Sequence, residues 1–179
     1  MLYTTLLKLF ALIMLPFMLA GCGLTQKLSG STASAVKSVF YRQVTTLRLD
    51  FNARDELNTD RREDNSASQP VMLRVYALSD RKVFDKAVYQ QLATEGDDVL
   101  KDEGVASRSL VLKPGTPFSL TMPLDQQAQF VAVVALFRAP DMTKNDWKLV
   151  LTRDELDPDN ARVIEASQNR LTLLPLKNQ

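Results

Sequence analysis

The chain has 179 residues, of which 45% are hydrophobic and 24% are charged, and this is the composition of one ordinary globular domain. It contains 22 lysine and arginine residues against 21 aspartate and glutamate residues, so it lacks the basic excess with which proteins bind nucleic acid. It has no histidine and one cysteine. These counts exclude Ser-His-Asp and Cys-His catalytic sites, histidine-ligated metal centres and an internal disulfide.

An apolar run near the start of the chain predicts an export signal. Leu9–Ala20 contains twelve residues, carries no charge and follows a short segment with one basic residue, Lys8. As a helix this run would span about 18 Å at ~1.5 Å per residue, which is less than the roughly 30 Å hydrocarbon core of a bilayer. The pattern is therefore typical of a signal peptide over residues 1–21 and not of a transmembrane anchor.

The cysteine follows this segment directly. Leu19–Cys22 (LAGC) resembles the bacterial lipobox, in which a lipid is attached to the cysteine sulfur and cleavage leaves that cysteine as the acylated N-terminus. We therefore expect palmitate-type acyl chains on Cys22, each buried CH₂ contributing roughly 0.8 kcal/mol to membrane binding. Gly23 stands where an aspartate would favour the inner membrane, so we expect the outer membrane. The alternative is an uncleaved signal anchor with an incidental thiol.

The remainder of the chain divides into a tether and a folded domain. Residues 22–40 are predicted to comprise the lipidated Cys22 and a flexible tether, because Leu24–Ser38 is rich in serine, threonine, alanine and glycine and has no sustained apolar periodicity. Residues 41–179 are predicted to fold as one domain. The chain without its signal would have 158 residues, enough for a hydrophobic core without metal or disulfide.

Alternating apolar residues predict seven or eight short β-strands in the folded part. On the first, Leu47, Leu49 and Phe51 share one face. The later strands are predicted at Val71–Ala77, Leu110–Leu112, Phe118–Met122, Phe130–Phe137, Trp147–Leu151, Arg162–Ala166 and Leu171–Leu176, with a turn at Pro114–Gly115. The run Phe130–Phe137 is apolar on both faces, which indicates a central strand covered on two sides, with a buried helix as the alternative.

A helical insertion interrupts the strand pattern. Within Val83–Ala93, five residues recur at the spacing that places side chains on one face of a helix: Phe84, Ala87, Val88, Gln91 and Leu92. The segment Asp97–Glu103 is predicted to add a short helical turn. Short strands separated by turns, with one helical insertion, predict a mainly β fold, a two-sheet β-sandwich.

A long charged segment, Ala53–Gln69, lies between the first two strands. It is longer than a tight hairpin needs, and loops above ~12–15 residues are commonly functional or disordered. Most of its residues are polar or charged, with a lone apolar residue, Leu57, before Asn58. The sequence alone leaves two interpretations open, a solvated mobile loop and a binding element.

No catalytic or metal-binding motif emerges. The cluster Asp154–Asp159 misses the EF-hand spacing, contains Pro158 and is interpreted as a solvated or helix-starting turn. Asp97 and Asp98 invite comparison with the carboxylate pair of glycosidases, but adjacent residues project in different directions. The P-loop, GxGxxG and GxSxG motifs are absent. We therefore expect no enzyme activity, no cofactor other than the lipid, no metal and no small-molecule substrate.

Several segments together resemble one protein family. They are Leu19–Cys22, LRLDFNARDELN (Leu47–Asn58), PVMLRVYALSDRKVFDKAVYQQL (Pro70–Leu92), FVAVVALFR (Phe130–Arg138) and DWK (Asp146–Lys148). In this order they resemble the type VI secretion outer-membrane lipoproteins of the TssJ family, also called VasD or SciN. The family's Leu-Asn-Pro-Asp sequence and glycine-containing loop are replaced here by Leu57-Asn58-Thr59-Asp60 and a charged loop without glycine.

The resemblance implies a transthyretin-like β-sandwich, lipid-anchored in the outer membrane and facing the periplasm. It also implies a non-enzymatic role in the type VI membrane complex, in which the protein binds the periplasmic C-terminal region of TssM and TssL completes the complex. The loop Ala53–Gln69 is implied to make the contact. The residues expected to bind the partner are Leu57, Asn58, Thr59, Asp60, Arg61, Arg62, Glu63 and Asp64. Their charges are expected to tune encounter and specificity.

Two other functions remain as alternatives at this point. One is a generic envelope lipoprotein whose β-sandwich binds peptidoglycan or another envelope assembly. The other is an enzyme that uses carboxylates alone, with Asp97 and Asp98 as its candidate residues.

Overall fold

A computed structural model of the chain describes residues 44–60, 62 and 66–176. The predicted signal peptide, the lipidated Cys22 and the tether lie outside these residues, as do Arg61, Glu63 and Asp64 of the predicted contact. Among the helices described, none is long and apolar enough to cross a membrane.

Eight strands and two α-helices make up the regular structure of the described residues. Their order is β1 (Thr46–Leu57), β2 (Val71–Leu78), α1 (Lys82–Lys86), α2 (Tyr89–Val99), β3 (Gly104–Leu112), β4 (Phe118–Pro123), β5 (Phe130–Ala135), β6 (Lys148–Thr152), β7 (Arg162–Gln168) and β8 (Arg170–Leu173), with a 3-10 turn at Arg153–Glu155. The strand count agrees with the prediction from alternating apolar residues.

The strands form two four-stranded sheets. The first has the order β4-β1-β7-β8, in which β1 and β7 are parallel and the other pairs are antiparallel. The second has the order β3-β2-β5-β6 and is antiparallel throughout. The predicted β-sandwich is therefore confirmed.

The core is built from rows of side chains at every second position. Leu47, Leu49 and Phe51 of β1 are fully buried, as are Leu73 and Val75 of β2. Burying one such side chain contributes about 1.5–3 kcal/mol, so these rows stabilise the association of the sheets. The period-two interpretation of both strands is confirmed.

The helices cover the outer face of the second sheet. The Nη1 atom of Arg74 donates to the carbonyl oxygen of Leu92 at 2.8 Å, and the hydroxyl of Tyr89 donates to the carbonyl oxygen of Phe137. Because helices lie over one face and the first sheet over the other, Val131–Ala135 of β5 is buried along its whole length. The prediction of a central strand covered on two sides is confirmed, and the buried-helix alternative is wrong.

The helical insertion consists of two helices, whereas one stripe over Val83–Ala93 was expected. The chain is extended at Ala87, which ends α1, and Val88 is 58% exposed. The ammonium group of Lys148 donates to the carbonyl oxygens of Phe84, Asp85 and Ala87 at 3.0–3.2 Å and so satisfies the last turn of α1. The prediction of one continuous helical stripe is wrong because the side chain that satisfies the end of α1, Lys148, lies on β6.

The first strand is longer than the sequence indicates. β1 continues to Leu57, so Ala53–Leu57 belongs to the sheet and the connection to β2 comprises residues 58–70. Arg54 of this extension donates from Nε to Glu165 of β7 at 2.7 Å. The charged residues Arg54, Asp55 and Glu56 indicate a loop from sequence because three consecutive exposed residues break the alternation of a strand, and the pairing with β7 is irregular there.

Two further details concern the connection between β3 and β4. Gly115 adopts a φ of 67°, and a Cβ there would lie 2.6 Å from Oδ1 of Asp55, so the predicted Pro114–Gly115 turn requires glycine. Phe118, Leu120 and Met122 alternate along the predicted strand β4, but Phe118 is exposed, whereas Leu120 and Met122 face the core.

Candidate partner-binding loop

The connection between β1 and β2 starts from a buried base. Leu57 is 0% exposed and Asn58 is 3% exposed, and Asn58 has a φ of 52°, a left-handed conformation that asparagine tolerates better than most residues. The side-chain amide of Asn58 donates to the carbonyl oxygen of Pro70 at 2.9 Å. Its Oδ1 accepts from the backbone N–H of Arg138 at 2.8 Å. One side chain therefore joins the start of the connection to its end and to the segment after β5.

The guanidinium of Arg138 makes a second set of ties. Its Nε and Nη2 donate to the carbonyl oxygen of Asn58 at 3.2 and 3.0 Å. Its Nη2 also donates to the carbonyl oxygen of Ala67 at 3.2 Å. Hydrogen bonds from a charged donor are stronger than those between neutral groups. Arg138 thus holds both ends of the connection from one position.

The turn between β7 and β8, two strands of the first sheet, also supports the connection. The backbone N–H of Asn58 donates to the carbonyl oxygen of Gln168 at 2.5 Å, and the side-chain amide of Asn169 donates to that of Thr59 at 2.7 Å. The N–H of Gln69 donates to the carbonyl oxygen of Leu57 at 3.1 Å. Both ends of the connection are therefore fixed through hydrogen bonds of their own backbone groups.

An ion pair lies in the first half of the connection. The carboxylate of Asp60 accepts from the backbone N–H of Arg62 at 3.1 Å and from its Nε and Nη2 at the same distance. These bonds hold the pKa of Asp60 below its ordinary value. The Arg62 side chain is 78% exposed, so its charge faces solvent while its hydrogen bonds orient the carboxylate of Asp60.

The structure distributes the predicted contact residues over two roles. Leu57 and Asn58 are buried, so they hold the base and offer little surface, while Thr59 and Asp60 are half-buried and Arg62 is exposed. Their contact with a partner stays a prediction. Sequence reasoning missed the role of Arg138, which lies three residues after the end of β5, because its partners Asn58 and Ala67 are distant in sequence.

The acidic segment considered for calcium forms a turn. The carboxylate of Asp157 accepts from the backbone N–H groups of Asp159 and Asn160 at 2.7 and 2.9 Å, which lowers its pKa. Among the described residues there is no group of three or more histidine, cysteine, aspartate or glutamate side chains placed to hold a metal ion.

Comparison with known proteins gives this geometry a context. A chain of the solved structure described as "T6SS protein TssM C-terminal domain (869-1107) from EAEC" is 41% identical, with a TM-score of 0.67, over 74% of this chain and 100% of that chain. A chain of a "Type VI membrane complex" is 44% identical, with a TM-score of 0.69 and the same coverage. The lipoprotein TssJ1 of Pseudomonas aeruginosa shares the fold, at 21% identity and a TM-score of 0.62 over 75% of this chain and 98% of its own.

Among curated proteins, no relative matches the chain. The family model T6SS-SciN, described as "Type VI secretion lipoprotein, VasD, EvfM, TssJ, VC_A0113", matches residues 45–171, which include every strand but the end of β8. Since this match spans well over half of the sequence, the chain belongs to the type VI secretion lipoprotein family of TssJ and VasD.

Proposed function

We propose that this protein is the outer-membrane lipoprotein of a type VI secretion membrane complex and that it binds the periplasmic C-terminal region of TssM. The EAEC structure carries the proposal. The whole of its matched chain corresponds to 74% of this one, about 132 residues, whereas the TssM segment 869–1107 has 239. The matched chain is therefore too short to be that segment and is interpreted as its companion, a relative of this protein held by TssM.

The connection of residues 58–70 is the proposed contact. Its ends are fixed by Asn58 and Arg138, so little conformational freedom remains to be lost at the base when a partner binds. Leu57 and Asn58 position the loop in this scheme. The side chains that meet TssM are those of Thr59, Asp60, Arg61, Arg62, Glu63 and Asp64.

A lipid on Cys22 would attach the protein to the outer membrane in this scheme. Residues 1–21 would be the cleaved signal, residues 22–40 the lipidated cysteine and tether, and residues 41–179 the β-sandwich that reaches into the periplasm. TssL is expected to complete the same complex. The protein acts by binding, without turning over a substrate, and needs no cofactor other than its lipid.

Loop replacement tests the contact. Residues 60–66 are replaced by glycine and serine at unchanged length, which removes the charged side chains and keeps Asn58 and Ala67 in place. A matched control replaces the exposed Gln126 and Gln127, at the opposite end of the sandwich. We expect affinity for the purified periplasmic region of TssM to fall about a hundred-fold for the loop variant and less than about two-fold for the control. Equal affinity of both variants would remove the loop from the contact.

The anchor has its own test. Mass spectrometry of the native protein should find Cys22 as the first residue, carrying acyl chains. Cys22→Ser should leave residues 1–21 attached and abolish palmitate incorporation. Palmitate entering that variant would contradict the assignment.

A further inference from the structure

The first strand joins the two proposed attachment points of the protein. In the function proposed above, a lipid holds the chain on its N-terminal side and TssM holds residues 59–64. The chain enters the described domain at Val44, two residues before β1, and the loop follows Leu57 at the end of β1. The twelve residues of β1 are already extended and span about 40 Å at ~3.3 Å per residue. One strand therefore connects the lipid side of the protein to its partner side.

The register of β1 is fixed on both sides. β1 is an inner strand of its sheet, in which Thr46–Phe51 pairs with β4 and Leu49–Ala53 pairs with β7. Leu47, Leu49 and Phe51 form its buried row. A slip by one residue would turn this row to the other face of the sheet and break both ladders together. The strand is therefore held firmly along its own axis.

An arginine fixes the start of β1, as Arg138 fixes the loop that follows its end. The Nη2 atom of Arg153 donates to the carbonyl oxygen of Val44 at 2.6 Å, and its Nη1 atom donates to that of Asp125 at 2.8 Å. At the other end, Arg138 donates to the carbonyl oxygen of Asn58. Hydrogen bonds from charged donors are stronger than those between neutral groups. Guanidinium groups thus hold the backbone just before and just after the strand.

A strand that is pulled at its two ends has little length left to gain. A fully stretched chain spans ~3.3–3.6 Å per residue, so residues 45–62 could reach about 60 Å, only about 20 Å more than β1 already spans. That gain would come from the loop residues after Leu57. A path through residues 62–126 could lengthen to about 220 Å, because it contains strands and helices that fold back on one another.

We infer that β1 is the load-bearing element of the protein, so that a pull between the lipid and the partner runs along one extended strand and does not unfold the sandwich. The inference rests on the proposed function, which places one attachment at each end of β1. The remaining strands and the helices lie outside this path. They keep the loop base in shape while β1 carries the load.

A DNA spring on the full chain tests the inference without TssM. Cys22→Ser removes the native cysteine, and Thr45→Cys with Arg62→Cys provides attachment points for the two ends of a single DNA strand. Addition of the complementary strand stiffens the DNA and pushes the two points apart. Unfolding in urea and mild detergent is followed by the fluorescence of Trp147, the one tryptophan of the chain, which is buried.

The matched control carries the spring on Arg62→Cys and Gln126→Cys. Gln126 is exposed and follows Asp125, which the guanidinium that holds Val44 also contacts, so it lies at the same end of the sandwich as Thr45. The two springs thus differ in the chain path between their ends. We expect the complementary strand to lower the urea midpoint by about 1 M in the control and by less than about 0.2 M in the Thr45→Cys variant.

Two outcomes would overturn the inference. Equal falls of the midpoint would mean that load on β1 unfolds the domain as readily as load on the other strands. An unchanged midpoint in both variants would mean that β1 offers no protection that the rest of the domain lacks. The loop replacement described above tests the proposed function separately, so a failure of the TssM contact and a failure of the load path are told apart.

Discussion

Replacing Asn58 by alanine tests whether the loop base is as tightly constructed as its contacts indicate. The change removes the bonds from Asn58 to the carbonyl oxygen of Pro70 and from the N–H of Arg138. Each contributes about 1 kcal/mol, and holding alanine at a φ of 52° costs roughly 1 kcal/mol more. We therefore expect a loss of about 3 kcal/mol in the free energy of unfolding.

A second asparagine separates these contributions. Asn145 has a φ of 54° and is exposed, so Asn145→Ala removes the conformational preference without a buried network and should cost only about 1 kcal/mol. Asn58→Gly removes the two bonds and tolerates the left-handed backbone, so it should cost about 1 kcal/mol less than Asn58→Ala.

Urea titrations of the full chain in mild detergent measure all three variants, and thermal midpoints should fall by about 4 °C for each kcal/mol. Similar losses for Asn58→Ala and Asn145→Ala would refute the reasoning, since the two side-chain bonds would then contribute nothing. The affinity of Asn58→Ala for the periplasmic region of TssM should fall as well, because the loop loses the tie between its two ends.

Three more substitutions address the helices and the ion pair. Gly96→Ala places a Cβ 2.4 Å from the Tyr76 hydroxyl, and the crowding should cost about 1–3 kcal/mol of unfolding free energy, which Tyr76→Phe in the double variant should partly restore. Lys148→Met leaves the last carbonyls of α1 without their donor and should cost about 2 kcal/mol while raising hydrogen exchange in α1; unchanged exchange would contradict the role of this lysine. Because Arg62 lowers the pKa of Asp60, their ion pair stabilises the fold above about pH 4. This contribution is lost as the pH falls below that value. Asp60→Asn should therefore reduce the loss of stability in acid titrations.

The architecture was predictable because its information is local. Each strand of a sandwich carries its own inward row, so Leu47–Phe51 and Val71–Ala77 could be placed on the core face without knowing their neighbours. The two-sided burial of Val131–Ala135 was equally visible, since a helix layer on one face and a sheet on the other require apolar residues at every position.

The remaining features depend on residues distant in sequence. The extension of β1 carries charges that indicate a loop until the hydrogen bond from Arg54 to Glu165 of β7 is known. The break after α1 depends on Lys148, more than sixty residues later along the chain. The role of Arg138 was hidden for the same reason, because nothing near it in sequence shows that its guanidinium reaches Asn58.

The topology explains why these distant residues meet at one loop. β1 and β7 are parallel, so their C-terminal ends lie together, and Gln168 comes to stand beside Asn58. β5 is antiparallel to β2, so the end of β5 lies where β2 begins, and Arg138 reaches the carbonyl oxygens on both sides of the connection. Had β7 been antiparallel to β1, the turn to β8 would lie at the far end, and the loop would lose the hydrogen bonds that it makes with Gln168 and Asn169. The parallel pair within the first sheet therefore makes it possible to hold a long charged loop from both sheets at once.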